Sequence, residues 1–370
     1  VAEVQSTFLG LAEVTIGGTG DGARVDLANV IVTAGGVLSA EARDATHVST
    51  SAMIATTTAD VAMLVNVVDS TLTAGSDVTL KALSTARYEA VSSFVGTSKV
   101  QFTPVSFKAA SAINRVNGDI AAVLTRSSVV STAGNIAVLT TDQRWLISTT
   151  RALQDIDTTL SALFGAAATG LAASATLSVN ALTGGVTAKA DSSSLTAAAG
   201  DITVKADLAV FLDARTVASV LQTGGDGVTA GFAIAQNYIG YDVTSIAAQT
   251  LGAIFGFSWG LTKTTYDVLS HVLNTVVASG GVVTVEAANQ AKLNATVSSV
   301  SQSKSVIPFI SSASSAIGMV ISSTKVATAV RAAIETTSGI QTVRGTGGVR
   351  VVARDEALVS TNARVYSSSI

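Results

Sequence analysis

The sequence predicts an all-β chain, a stacked β-solenoid with irregular rungs and one or two short helical insertions. Three observations predict it. The first is the stretch from Asp191 to Ala214, which opens with a small polar run, turns at Ala199, Gly200 and Asp201, and then alternates: Ile202, Val204, Ala206, Leu208, Val210 and Leu212 fall on one side, and Asp201, Thr203, Lys205, Asp207 and Asp213 on the other. A two-residue period places one set on one face of an extended strand. The second is repetition of that phrase. The third is composition. Two prolines in 370 residues fit a chain that is mostly hydrogen-bonded strand, because proline removes a ladder donor.

Six copies align on the third inward residue after a turn: Ala42, Ala82, Thr140, Ala206, Ala287 and Ala353. Gly36, Gly75, Gly134, Gly200, Gly281 and Gly347 stand at the turns, where glycine is expected to supply positive φ. Outward positions carry charge, as at Lys81, Lys205, Glu286 and Arg350. The anchors are 40, 58, 66, 81 and 66 residues apart. A three-sided rung takes on the order of 20 residues, so most intervals read as about three rungs, with insertions. Roughly 18 rungs would give a rod about 85 Å long. Asn66, Asn114 and Asn180 end the phrases upstream of the turns. They read as turn residues or as ladders stacked between rungs.

The whole chain, 1–370, reads as one elongated domain with insertions near 144–166 and 231–277. In the first, Leu153, Ile156, Leu160 and Leu163 recur at helical steps, and Thr149 is placed to cap them. The second has mixed periodicity and gathers Tyr238, Tyr241, Phe255, Phe257, Trp259 and Tyr266. Lys325 to Glu335 is read as strand from its repeat context. The chain begins at Val1 without a leader pattern, and reads as a piece of something longer.

Composition excludes several classes of function. Cysteine is missing from the sequence, which removes disulfides, thiolate metal sites and cysteine nucleophiles. A net charge of −3 speaks against nucleic acid as a partner. No apolar run reaches the roughly 18–20 residues of a membrane helix. Nothing points to a cofactor. Gly17 to Gly22 has the glycine and aspartate of a calcium-binding turn, but once and at the wrong spacing. It is read as a flexible turn. Asp155 and Asp157 bring two carboxylates close, yet on a helix residues two apart do not face each other. His47 and His271 are the two histidines, and no G-x-S-x-G elbow accompanies them. No catalytic or metal-binding residue is assigned. Arg331, Arg344, Arg350, Arg354 and Arg364 make the C-terminal end basic.

Ser174 to Asn180, Val186 to Ala190 and Ser194 to Ala206 resemble the β-strand repeats of giant bacterial surface proteins, the filamentous-haemagglutinin-like adhesins. Copies two, five and six match less closely, and the insertions do not match. The resemblance implies a right-handed parallel β-helix, export to the bacterial surface or beyond, and a non-catalytic role as a stiff structural or adhesive segment. The chain departs from the pattern in its aromatic insertion and in the low Asp and Asn content of its corners. Self-association, neighbouring repeats of a longer chain and surface glycan are the partners expected. Phe255, Phe257, Trp259, Tyr266, Arg350 and Arg354 are the expected contact residues. The competing readings are a polysaccharide lyase or hydrolase on a β-helix and a secreted glycan-binding passenger.

Overall fold

The computed structural model describes residues 3–99, 105–157, 170–223, 227–243, 261–304, 314–337 and 341–369. None of these residues is helical. The strands form three parallel sheets and one small antiparallel pair.

The alternation of the repeated phrase becomes one six-stranded sheet. It comprises Leu38–Asp44, Val78–Ser84, Ile136–Asp142, Ile202–Leu208, Val282–Asn289 and Gly348–Asp355, stacked in chain order. Ala42, Ala82, Thr140, Ala206, Ala287 and Ala353 stand in a single cross-strand row. The sequence alignment is thus the physical register. A second six-stranded sheet stacks the short strands Ile31–Ala34, Thr71–Ala74, Ser128–Ser131, Ser194–Ala197, Val276–Ser279 and Val343–Gly345. Leu80, Ile136, Val138, Ile202, Val204 and Val285 point inward and are 0–1% exposed. With Leu72, Val129, Leu195 and Val277 of the short strands they form one continuous aliphatic core.

The interval between anchors is one step between paired strands, not about three rungs. The unequal intervals arise in a third sheet of fifteen strands. The third to sixth repeats each send a long strand out and bring another back, as in Trp145–Asp157 with Gly170–Leu182, or Phe211–Thr223 with Gly227–Ile239. We call this pair the wing. A thirteen-residue strand reaches roughly 43 Å. In the second repeat His47–Val68 runs unbroken and pairs in turn with Arg87–Lys99, Val105–Asn117 and Ile120–Thr125, so the sheet folds back on itself there. The 81-residue interval carries an added hairpin, Tyr241–Val243 with Leu261–Lys263. Long strands begin seven successive levels, from Glu3–Ala28 to Leu358–Ser369. Their spacing gives a stack about 30 Å tall, well short of 85 Å.

The helical reading of 144–166 is not upheld. Trp145–Asp157 is a strand held on both sides, by Arg87–Lys99 and by Phe211–Thr223. Leu146, Ala152 and Ile156 lie inside at a two-residue period; the polar Ser148, Thr150 and Gln154 between them hid it. Residues 158–169, with Leu160 and Leu163, lie outside the described residues. Within 231–277 the true insertion is the hairpin, and 244–260 lies outside the described residues. Tyr266–Leu273 resolves to strand, with Tyr266, Val268 and Val272 inside. Lys325–Glu335 is extended, as expected.

The wing interior is built from small and polar side chains, so the two layers approach closely. Thr150 Oγ1 donates to the Leu177 carbonyl at 2.9 Å. Ser178 Oγ reaches the Arg215 carbonyl at 2.7 Å, and Ser299 Oγ reaches the Gly231 carbonyl at 2.8 Å. A Cβ on Gly231 would lie 2.6 Å from Ser299 Oγ. Asn114 and Asn180 form the expected ladder: Asn114 Nδ2 donates to Asn180 Oδ1 at 2.9 Å, and Asn180 Nδ2 to Asn237 Oδ1 at 3.0 Å. Asn66 faces outward and donates instead to Asp26. The ladder ends at Asn237, whose Nδ2 donates to the Asn294 carbonyl at 2.7 Å.

Corners correct two expectations. Glycines at the turns are needed for close stacking, not for positive φ. A Cβ on Gly200 would lie 2.3 Å from the Gly134 carbonyl oxygen, and one on Gly75 2.1 Å from that of Gly35. Positive φ is found at other corners, at Asn29, Asp69, Arg126, Ser192 and Asn274, with φ from 47° to 55°. Aspartate and asparagine are also not scarce at corners; they hold fixed places. The Asp77, Asn135 and Asp201 side chains each accept a backbone N–H from the next repeat, at 2.7, 2.8 and 2.7 Å. Asp44, Asp142 and Asn289 accept the N–H two residues on, the local bond that makes these residues turn formers.

Candidate functional site

Two places concentrate chemistry: a charged cluster inside the stack and the outward strip of the anchor sheet. The inner cluster begins at the corner Asp142–Gln143–Arg144. Arg144 is 1% exposed and Asp142 0%. Arg144 Nε donates to both Asp142 oxygens at 2.9 and 3.0 Å, and Nη2 to Oδ2 at 2.7 Å. Tyr266 enters from a strand two levels away, its hydroxyl donating to Asp142 Oδ2 at 2.7 Å and accepting from Arg144 Nη2 at 3.1 Å. Burial works against the Arg144 charge, but Asp142 and the nearby phenols outweigh it and hold the guanidinium above its ordinary range. Burial pushes the Tyr266 phenol well up, and Asp142 adds to the shift. Burial likewise raises Tyr88. The pair is enclosed, and Arg144 Nη2 also donates to the Gly118 carbonyl at 3.3 Å. It offers no atom to a substrate, and its work is to hold the third, fourth and fifth repeats in register.

The outward strip is self-neutralising. Lys81 lies 3.6 Å from Glu41. Lys205 lies 3.6 Å from Asp207 and 3.8 Å from Glu286, and Arg354 lies 3.9 Å from Glu286. Among the described residues no three His, Cys, Asp or Glu are grouped to hold a metal, and no helix is long and apolar enough to cross a membrane.

The expected contact residues are dispersed. Phe255, Phe257 and Trp259 lie outside the described residues. Tyr266 is 0% exposed, an interior residue of the cluster above and not an outward contact. Arg350 is exposed on the last anchor strand, and Arg354 is held toward Glu286. Because Trp145–Asp157 is a strand, Asp155 and Asp157 share its exposed face, the reverse of the helical expectation. His271 Nε2 lies 3.0 Å from Glu335, and His47 sits at the start of a wing strand. Gly17 and Gly22 bracket a break in register inside Glu3–Ala28, where a turn was expected. Sequence reasoning missed Asp142 and Arg144, although an acidic or amide residue two places after the anchor recurs at Asp44, Asp142, Asn289 and Asp355.

Several carboxylates at or near the surface are held below their ordinary range: Asp69 by hydrogen bonds from Arg126, Asp191 by Lys189, and Glu335 by Arg331. A carboxylate whose folded pKa is depressed stabilises the fold above its unfolded value and loses that contribution as pH falls through the folded value. The denaturant midpoint is therefore expected to be flat near neutrality and to fall as pH drops below about 4. Urea titrations from pH 7 to pH 2 check this, and a midpoint that rises on acidification contradicts it.

An apolar groove of about 360 Å³ lies on the outer face of the returning wing strands, lined by Ile54, Ala175, Leu177, Phe232, Ile234 and Met319. Beside it, Val179, Ala181 and Tyr238 pack under Tyr241, Val243 and Leu261 of the hairpin. Comparison with protein-family models, with curated proteins and with solved structures returns no match to this chain.

Proposed function

We propose that the chain is a non-catalytic structural segment, a right-handed parallel β-solenoid of an extracellular bacterial surface protein of the filamentous-haemagglutinin-like kind, which extends by stacking on more of the same. One observation carries the reading. In the last repeat Val349 is 48% exposed and Val351 46%, while their partners one level below, Val283 and Val285, are 1% and 0% exposed. Val359 is 47% exposed above Leu293 at 2%. Val343–Gly345, Gly348–Asp355 and Leu358–Ser369 each pair on one side. Such an edge is a template for another strand, and apolar side chains left at it are stabilised by burial. A stack about 30 Å tall becomes a rod only when levels are added. The paired state of the acids on the outward strip supports a structural reading over a lyase or hydrolase.

The wild-type chain is expected to associate as its concentration rises, giving elongated particles in negative stain. Val351→Lys is expected to weaken association at least tenfold in sedimentation velocity, with its far-ultraviolet strand signal unchanged. A monomer at every concentration, or unaltered association of the variant, overturns the reading.

A further inference from the structure

The first outward residue of each wing follows the buried corner residue, and these residues line up across repeats. Arg87, Trp145, Phe211 and Lys292 stand in one row, each in register with the next. The order is cation, aromatic, aromatic, cation. The Trp145 and Phe211 rings are 5.2 Å apart and tilted by 57°, and the Arg87 guanidinium lies 5.9 Å from the centre of the Trp145 ring. Trp145 remains 45% exposed, although tryptophan is the side chain with most to gain from cover. Gln143 and Gln290, in the corners two residues before Trp145 and Lys292, are exposed beside the row. Lys292 is exposed and has no ion pair among those the structure shows.

The geometry points to a binding site for an extended glycan that bears carboxylates, a uronate chain, lying across the repeats on this row. The chemistry of each member fits that class. An aromatic face packs on the C–H face of a pyranose ring, whose edge keeps its hydroxyls free. The amides of Gln143 and Gln290 can donate to and accept from those hydroxyls. Neighbouring strands are about 4.8 Å apart, the scale of one pyranose unit, so successive sugars meet successive repeats. Lys292 sits at one end of the aromatic step, where a carboxylate on a flanking sugar is attracted electrostatically; at the other end Arg87 already shares its charge with Glu89 at 3.3 Å. The row lies on the outward face of these strands, and each strand is already paired to its neighbours along its length, so binding requires no rearrangement of the stack. The site is independent of the edge that extends the stack.

Affinity electrophoresis through gels containing polygalacturonate tests the site, with neutral hydroxyethylcellulose as the second arm. Polygalacturonate is expected to retard the wild-type chain. Trp145→Ala is expected to lose about tenfold in affinity, the size typical of a central aromatic anchor. Lys292→Ser is expected to lose several-fold, more at low salt than at high salt. Both substitutions are at exposed positions, and circular dichroism verifies that the variants are folded. Equal mobility with and without polygalacturonate overturns the site, as does undiminished retardation of Trp145→Ala. Equal retardation by hydroxyethylcellulose overturns the assignment to an acidic glycan.

Discussion

Arg144→Ala is expected to destabilise the protein by about 3–5 kcal/mol, the usual cost of leaving one member of a buried ion pair alone. Asp142 would be left at 0% exposure with only the Tyr266 hydroxyl and a backbone N–H for company. The decisive comparison is with removal of the whole cluster. In the next repeat Leu208 stands in register with Asp142, and Val210 occupies the place of Arg144, directly before the paired Trp145 and Phe211. Both are 0–1% exposed, so the same corner closes with an apolar interior. The triple variant Asp142→Leu/Arg144→Met/Tyr266→Phe removes every polar end while keeping volume. It is expected to recover most of the stability lost in Arg144→Ala. Urea midpoints of the two variants check this. A triple variant as unstable as the single one would show that the cluster itself stabilises the stack.

Gly184→Ala is expected to be strongly damaging, costing about 3 kcal/mol or more. Gly184 has φ of +115°, and an added Cβ would lie 2.4 Å from the Gly118 carbonyl oxygen. Gly118 has φ of +142°, and a Cβ added there would lie 2.0 Å from the Val61 carbonyl oxygen. The two glycines close the same corner in successive repeats, where the returning wing strand re-enters the core. Neither the torsion nor the contact can relax without parting the levels. Gly35→Ala is the matched control, with nothing within 4 Å of the added carbon; it is expected to stay within about 0.5 kcal/mol of wild type. Thermal unfolding of the two variants side by side checks the contrast.

The anchor sheet was legible because Ile202, Val204, Ala206 and Leu208 are aliphatic at every second place, and their partners in other repeats keep the rule. The wings were not. Their inward residues, such as Ser174, Thr176, Ser178 and Asn180, are 0–2% exposed yet polar, so hydropathy gives both faces of the strand the same appearance. Leu153 and Ile156 then mimic a helical step, although Leu153 is an outward residue of a strand. Pairing with two neighbours decides the conformation there, and local propensity does not. The coil length was misjudged for the same reason, since unseen wings were counted as extra rungs. Of the residues expected at a contact, Tyr266 was placed by its aromaticity alone. Its partner Asp142 is 124 residues away, a separation no local pattern reveals.

The buried hydroxyls at one corner have a direction. The backbone N–H groups of Val30, Ser70, Ser127 and Ser193 donate to the side chains of Ser70, Ser127, Ser193 and Thr275, at 3.2, 3.0, 3.1 and 3.2 Å. In every case the earlier residue donates and the later one accepts. Each finished lap therefore presents a donor that only the following lap can satisfy. Such a relay suits laps that form in order from the amino end, because each completed lap offers the next one a bond already aimed at its corner.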